Sequence, residues 1–312
     1  MKPDAQASPA GQLLPTGDRP WRLGVVSDEI AADPMVALPA ARAMGFTHVE
    51  LNQVGDRGIH ELSDAGVAEL RRMIEAEGLQ VVAVDPPAFK AIELDQVPVA
   101  EVTGHPAVVE HLGQIRRGCQ VARELGAGIV RVFSFRRSNM VGAGNPSPRE
   151  PGGGAIPDDL LSKIVAGLRA AVAIADEHQV TLGLENVRSC WGNSGPNAAR
   201  ILAAVDHPRL RAIWDPGNDY VSGGVPYPDG YRAVLPYLVH VHVKDAAVVD
   251  HTTGLTRWAC IGSGGVDYAG QIAALRRDGY DGVISVETHW RKPGDDGLES
   301  TRDTLAGLRR FL

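Results

Sequence analysis

The sequence predicts an α/β fold, a single (β/α)8 barrel, and three observations predict it. From Trp21 onward, short β-branched runs alternate with Ala-, Leu- and Arg-rich helical patterns, as in successive βα units around a parallel sheet. Eight such runs can be counted, the number that closes a barrel. The joint before a strand also repeats: AMGFTHVE, AEGLQVVAV, ELGAGIVRV and RDGYDGVISVE each pass from a helix through Gly into a strand. A recurring joint argues for one architecture, even though ~150 residues per domain would divide a chain of 312 in two.

Taken in order, residues 1–20 mix Pro, Gly and polar residues without periodicity and read as a flexible arm, which leaves 21–312 for the barrel. Strands are expected at 23–27, 47–52, 80–84, 129–134, 180–185, 211–215, 238–243 and 283–287. Helical patterns lie between them, among them VALPAARAM, AGVAELRRMIEAEG and LLSKIVAGLRAAVAIADEH. Residues 141–159 (VGAGNPSPREPGGGAIPDD) break the rhythm. As a domain linker they would leave two unclosed half-barrels, so they read as a long loop after strand four, at the end where barrels build their sites. A lid and an ordinary surface insertion both fit that loop.

Composition narrows the function. With 44% hydrophobic residues, 22% charged residues and a net charge of −7, the chain is of ordinary globular type. No run nears the ~18 apolar residues of a membrane span, and the first residues lack the apolar core of a signal peptide. The acidic balance argues against a nucleic-acid partner. Cys119, Cys190 and Cys260 are odd in number and far apart, so a disulfide framework or cysteine-zinc site is not expected and a reducing cytoplasm is. Assembly into a homo-oligomer is left open.

The chemistry is concentrated in strands five to eight. Side chains alternate across a strand, so in LVHVHVKDA the trio His240, His242 and Lys244 faces inward while Val239, Val241 and Val243 face the helices. His240, deeper along the strand, suits a hydrogen-bonded core position as well as a site; His242 is the better ligand. By the same alternation Glu185, Asp215 and Glu287 end strands five, six and eight on the inner side, and His289 follows on that face. Any one strand-end carboxylate could simply cap the next helix. Three of them gathered with an imidazole would repel and take up protons unless a cation sits among them, and a divalent metal is the economical answer. Oxygen-rich donors with one imidazole suit Mn2+ first, then Mg2+ or Co2+, better than structural Zn2+; a catalytic Zn2+ stays open.

These residues carry a resemblance. SDEI at 27–30, GFTHVELN at 45–52, the GLEN run ending at Asn186, WDPGN at 214–218, HVHVKDA at 240–246, GSGGVDY at 262–268 and GYDGVISVETH at 279–289 together resemble the sugar-phosphate isomerase/epimerase family. That family is built on the xylose-isomerase-like TIM barrel. The resemblance implies that Glu185, Asp215, His242 and Glu287 hold the metal, and that Glu185 and Glu287 are the catalytic acid/base pair. Asn218 stands where the epimerase branch carries a His, and Lys244 or Arg257 would have to replace an Arg of its loop after strand seven.

The expected function is a metal-dependent isomerase or epimerase of a sugar or keto-sugar. It would abstract a proton next to a carbonyl, and a lyase built on the same carbanion is the alternative. A barrel that binds a small sugar or polyol-derived molecule, or a partner, without turnover is a third reading. Glu50, Asn218, His240, Lys244, His289 and Trp290 are the candidate substrate contacts. Of Arg131, Arg136 and Arg137, one could meet a substrate phosphate or carboxylate, the others reading as surface charge. The loop ACIGSGGVDY lacks a dinucleotide fingerprint and reads as a turn.

Overall fold

A computed structural model describes residues 20–138, 140 and 149–312. The expected arm at 1–20 and the first part of the 141–159 loop therefore fall almost wholly outside the described residues. Eight parallel strands close into a barrel: β1 (Arg22–Val26), β2 (His48–Leu51), β3 (Gln80–Val84), β4 (Ile129–Val132), β5 (Thr181–Glu185), β6 (Leu210–Trp214), β7 (Leu238–Val243) and β8 (Val283–Val286). Each lies within one or two residues of its expected bounds. β1 pairs with both β2 and β8, so no edge is left open.

The surrounding helices are α1 (Pro34–Met44), α2 (Asp64–Ala76), α3 (Pro106–Leu125), α4 (Asp158–His178), α5 (Gly195–Val205), α6 (Pro216–Ser222), α7 (Tyr231–Val234), α8 (Tyr268–Arg277) and α9 (Leu298–Arg309). Local sequence starts and stops them. Asp33, Ser63 and Asp267 accept backbone N–H bonds at N-termini, and Gly45 and Gly126 end α1 and α3 in the left-handed conformation. Outward residues such as Val49, Val130, Leu182, Leu184, Val241, Val243, Ile284 and Val286 join the helices in one continuous core. No helix among the described residues is long and apolar enough to cross a membrane.

The barrel floor holds a smaller cluster of Ala83, Ile129 and Ile213. Gly183 is needed there, because a Cβ at that position would stand 2.5 Å from Ile213 Cδ1. The expected outward stripe on β7 needs one correction. Ala212 pairs with Leu238 but Ile213 with His240, so Val239 is an extra residue in the ladder and packs on the floor cluster instead of the helices.

At the C-terminal ends of the strands the chain is thickened. The described part of the long loop forms a turn at Pro151–Gly153 and leads into α4 at Asp158, so its last two expected residues are helical. It is tied to α5 and the chain before it: Asn193 Nδ2 donates to Gly153 O at 2.9 Å and Asn197 Nδ2 to Gly154 O at 2.8 Å. After β7, Asp245–Asp250 and Leu255–Ala259 pair as an antiparallel ribbon outside the eight expected strands.

Candidate metal centre

Strands five to eight deliver their last inward side chains to one point. Donor atoms of Glu185, Asp215, His242 and Glu287 lie within 4.8 Å of one another, and all four residues are buried. Donors ~2.1 Å from one ion stand at most ~4.2 Å apart, so small rotations would close this set around a divalent cation. His242 Nδ1 faces Glu185 Oε1 at 3.4 Å and Glu287 Oε2 at 3.6 Å, and it has no hydrogen-bond partner among the described residues. A buried ring nitrogen facing the Glu185 and Glu287 carboxylates, with Asp215 within 4.8 Å, is the observation that fits a metal.

The strand-six carboxylate does two things at once. Asp215 Oδ1 accepts the Asn218 N–H at 2.8 Å and so caps α6, while Oδ2 turns to the centre. Asn186 clamps the two strand ends together, donating to Asp215 O at 2.8 Å and accepting from Asp215 N at 2.9 Å.

Of the expected substrate contacts, Glu50 and Asn218 hydrogen-bond to the candidate ligands His242 and Glu185, and His240 shares Glu50 with His242. Glu50 Oε2 lies 2.9 Å from His242 Nε2 and Oε1 lies 2.7 Å from His240 Nε2, all three fully buried. One carboxylate thus fixes both rings, and a proton on Nε2 leaves Nδ1 of His242 free to ligate. Both Glu50 oxygens are occupied in this way, and His240 lies below the donors. Asn218 Nδ2 donates to Glu185 Oε1 at 3.1 Å, so it positions that carboxylate.

Two built-in cations enter the cluster. Lys244 Nζ is 2.9 Å from Asp215 Oδ2, contacts Glu287 Oε2 and lies 3.8 Å from Glu185 Oε1. Arg131, on the inner face of β4, places Nη1 3.2 Å from Glu185 Oε2 and 3.9 Å from both Glu287 Oε1 and Asp85 Oδ2. Arg136 and Arg137 pair instead with Glu93 and Glu150. Arg131 could have been assigned inward from its alternation with Val130 and Val132; Asp85 follows β3 directly and carried no comparable signal.

The rim belongs to β8 and the ribbon. His289 Nδ1 meets Glu29 Oε1 at 2.9 Å and Nε2 lies 3.7 Å from Glu287 Oε1. Trp290 is half-buried, its carbonyl accepting from Arg291. The indole nearer the charges is Trp258 of the ribbon, 5.4 Å from Lys244 Nζ and edge-on to His289 at 5.0 Å.

Burial and charge oppose each other throughout. Burial raises Glu185, and Glu287 raises it further, but Arg131 and His242 prevail and hold it at about 2. Burial raises Glu287 too, yet Lys244 and His289 bring it well below the usual range. Asp215 is pushed up to about 6 by burial against the pull of Lys244. Burial likewise pushes Asp85 well upward despite Arg131. Burial lowers His242, but Glu50 and Glu185 raise it well above its ordinary value. A dication entering the set therefore competes with a proton for Nδ1.

Comparisons with known proteins agree with this architecture. Among solved structures, 3-keto-D-glucoside 4-epimerase from E. coli is 19% identical, with a TM-score of 0.66 over 93% of this chain and 100% of that one. IOLI protein with a binding zinc atom is 15% identical, with a TM-score of 0.69 over 93% and 99%. The probable 3-DHS dehydratase of Bacillus anthracis is 15% identical, with a TM-score of 0.65 over 91% and 98%. These likenesses show a shared fold. A curated relative, an uncharacterized protein of Methanocaldococcus jannaschii, is 26% identical over 133 residues, which span 41% of this chain and only 44% of that protein. The family model described as xylose isomerase-like TIM barrel matches residues 38–311, nearly the whole described barrel, and the chain therefore belongs to the xylose isomerase-like TIM barrel family.

Proposed function

We propose that this protein is a divalent-cation-dependent isomerase or epimerase that removes a proton next to the carbonyl of a sugar or polyol-derived keto substrate. The observation that carries the reading is the convergence of Glu185, Asp215, His242 and Glu287 at the C-terminal mouth of the barrel. Those four residues would hold the cation, with Mn2+ the first to test and Mg2+, Co2+ and Zn2+ the other candidates. When bound, the cation polarises a substrate carbonyl and acidifies the adjacent C–H.

The chain's own residues do the rest. Glu185 and Glu287 approach the cluster from β5 and the end of β8 and serve as the base and the returning acid. Asn218 and Arg131 fix Glu185, and Lys244 projects from the end of β7 into the same cluster. Return of the proton to the same carbon inverts it, and return to the neighbouring carbon interconverts aldose and ketose. A lyase outcome is the second reading. His289 favours it, since its ring is one-third exposed at the rim beside Glu287, where it could protonate a departing oxygen. Three free thiols suit a reducing cytoplasm.

Titration with Mn2+ should give one equivalent bound, and Glu185→Gln should lose both the metal and turnover. Incubating a panel of keto-sugars with the enzyme in D2O should place deuterium next to the carbonyl. If the panel exchanges no hydrogen and the protein takes up no metal, the passive sugar-binding barrel is the better reading.

A further inference from the structure

The Lys244 ammonium lies where a cation would have to sit. Its contacts are Asp215 Oδ2, Glu287 Oε2 and Glu185 Oε1, three of the four donor residues, and the two glutamate oxygens are the same ones that face His242 Nδ1. An ammonium among these oxygens and a dication ligated by them exclude each other, by volume and by charge. We propose that Lys244 and the divalent cation are alternative occupants of one seat, so that the ammonium keeps the carboxylate cage closed and partly compensated until a metal displaces it.

The motion this requires is confined to one side chain. The backbone at Lys244 is pinned, since its carbonyl accepts the Tyr268 hydroxyl at 2.8 Å and packs so closely on α6 that a Cβ on Gly217 would stand 2.3 Å from it. The four-carbon stem is the flexible part. Trp258 offers the displaced ammonium a place: its ring already lies 5.4 Å from Nζ and comes from the ribbon beside the mouth. Arg131 stays behind on Glu185, so the cage keeps one fixed cation whichever occupant is seated.

This inference rests on the metal-centre reading above. A seat occupied by its own ammonium lowers apparent metal affinity by the fraction of molecules in which the seat is open. Lys244→Met should therefore bind Mn2+ at least about tenfold more tightly by calorimetry. In stopped-flow mixing with Mn2+, the observed rate of the wild-type protein should level off with metal concentration, because the ammonium must leave first; in the variant it should rise linearly. The wild-type tryptophan signal should change on binding and be lost in Trp258→Phe.

Equal affinity in both proteins, or a linear wild-type rate with no Trp258 signal, overturns shared occupancy while leaving the metal centre standing. Failure of both folded proteins to take up Mn2+ overturns the metal centre and this inference together. If Lys244→Met does not fold, the wild-type rate profile and the Trp258 signal decide alone.

Discussion

Asp219 shows how one side chain can hold two elements and charge the molecule for it. It is fully buried on α6, and Oδ1 accepts the Gly195 N–H at 2.7 Å, satisfying one of the free donors at the start of α5. Burial pushes its carboxyl up to about 7, against the help of that N–H. In the unfolded chain the group has an ordinary carboxylate value, so the folded state binds the proton more tightly. Its contribution to stability is complete below about pH 4 and falls as pH rises toward 7, by on the order of a few kcal/mol. Asp219→Asn should flatten that part of the profile. Denaturant midpoints of the two proteins at pH 5 and pH 8 check this: the wild type should lose more between them, and equal losses would refute the assignment.

At the scale of elements, the site depends on how closely α6 approaches the end of β7. Pro216 and Gly217 open α6, and the absent side chain at Gly217 lets the helix start against the Lys244 carbonyl. That approach sets Asp215, the cap of α6, beside the Lys244 ammonium. Gly217→Ala would put a Cβ 2.3 Å from a backbone oxygen that Tyr268 also holds, so neither partner can yield by a rotamer change. The expected cost is about 1–3 kcal/mol, read as a lower melting temperature, with weaker Mn2+ binding because Asp215 is displaced. An unchanged melting temperature would mean that the helix slides freely, contrary to the packing described.

For the molecule as a whole, five carboxylates converge inside the barrel: Glu50, Asp85, Glu185, Asp215 and Glu287. Arg131 and Lys244 oppose them, with two imidazoles between. The chain's own cations offset part of that charge, and the barrel is expected to fold without a metal. Chelator treatment should leave the circular dichroism spectrum intact. Mn2+ at about a hundred times its dissociation constant should add roughly 2.7 kcal/mol, a rise of about 5 °C in melting temperature. A protein that unfolds in chelator would show that the internal cations do not suffice.

The amino-acid order determined the barrel, the bounds of its strands to within two residues, and the inner placement of Glu185, Asp215, His242 and Glu287. Those are local properties: period-two alternation assigns a face, and Gly, Pro and capping residues assign the ends. The partners of those side chains were not legible, because they come from elsewhere in the chain. Glu50 reaches His242 across 192 positions, and Arg131 reaches Glu185 across 54. The extra residue at Val239, the ribbon carrying Trp258 and the seating of Lys244 among the carboxylates were likewise decided only in three dimensions. Closing a staggered sheet fixes which strand ends meet and at what depth, and no single strand contains that information.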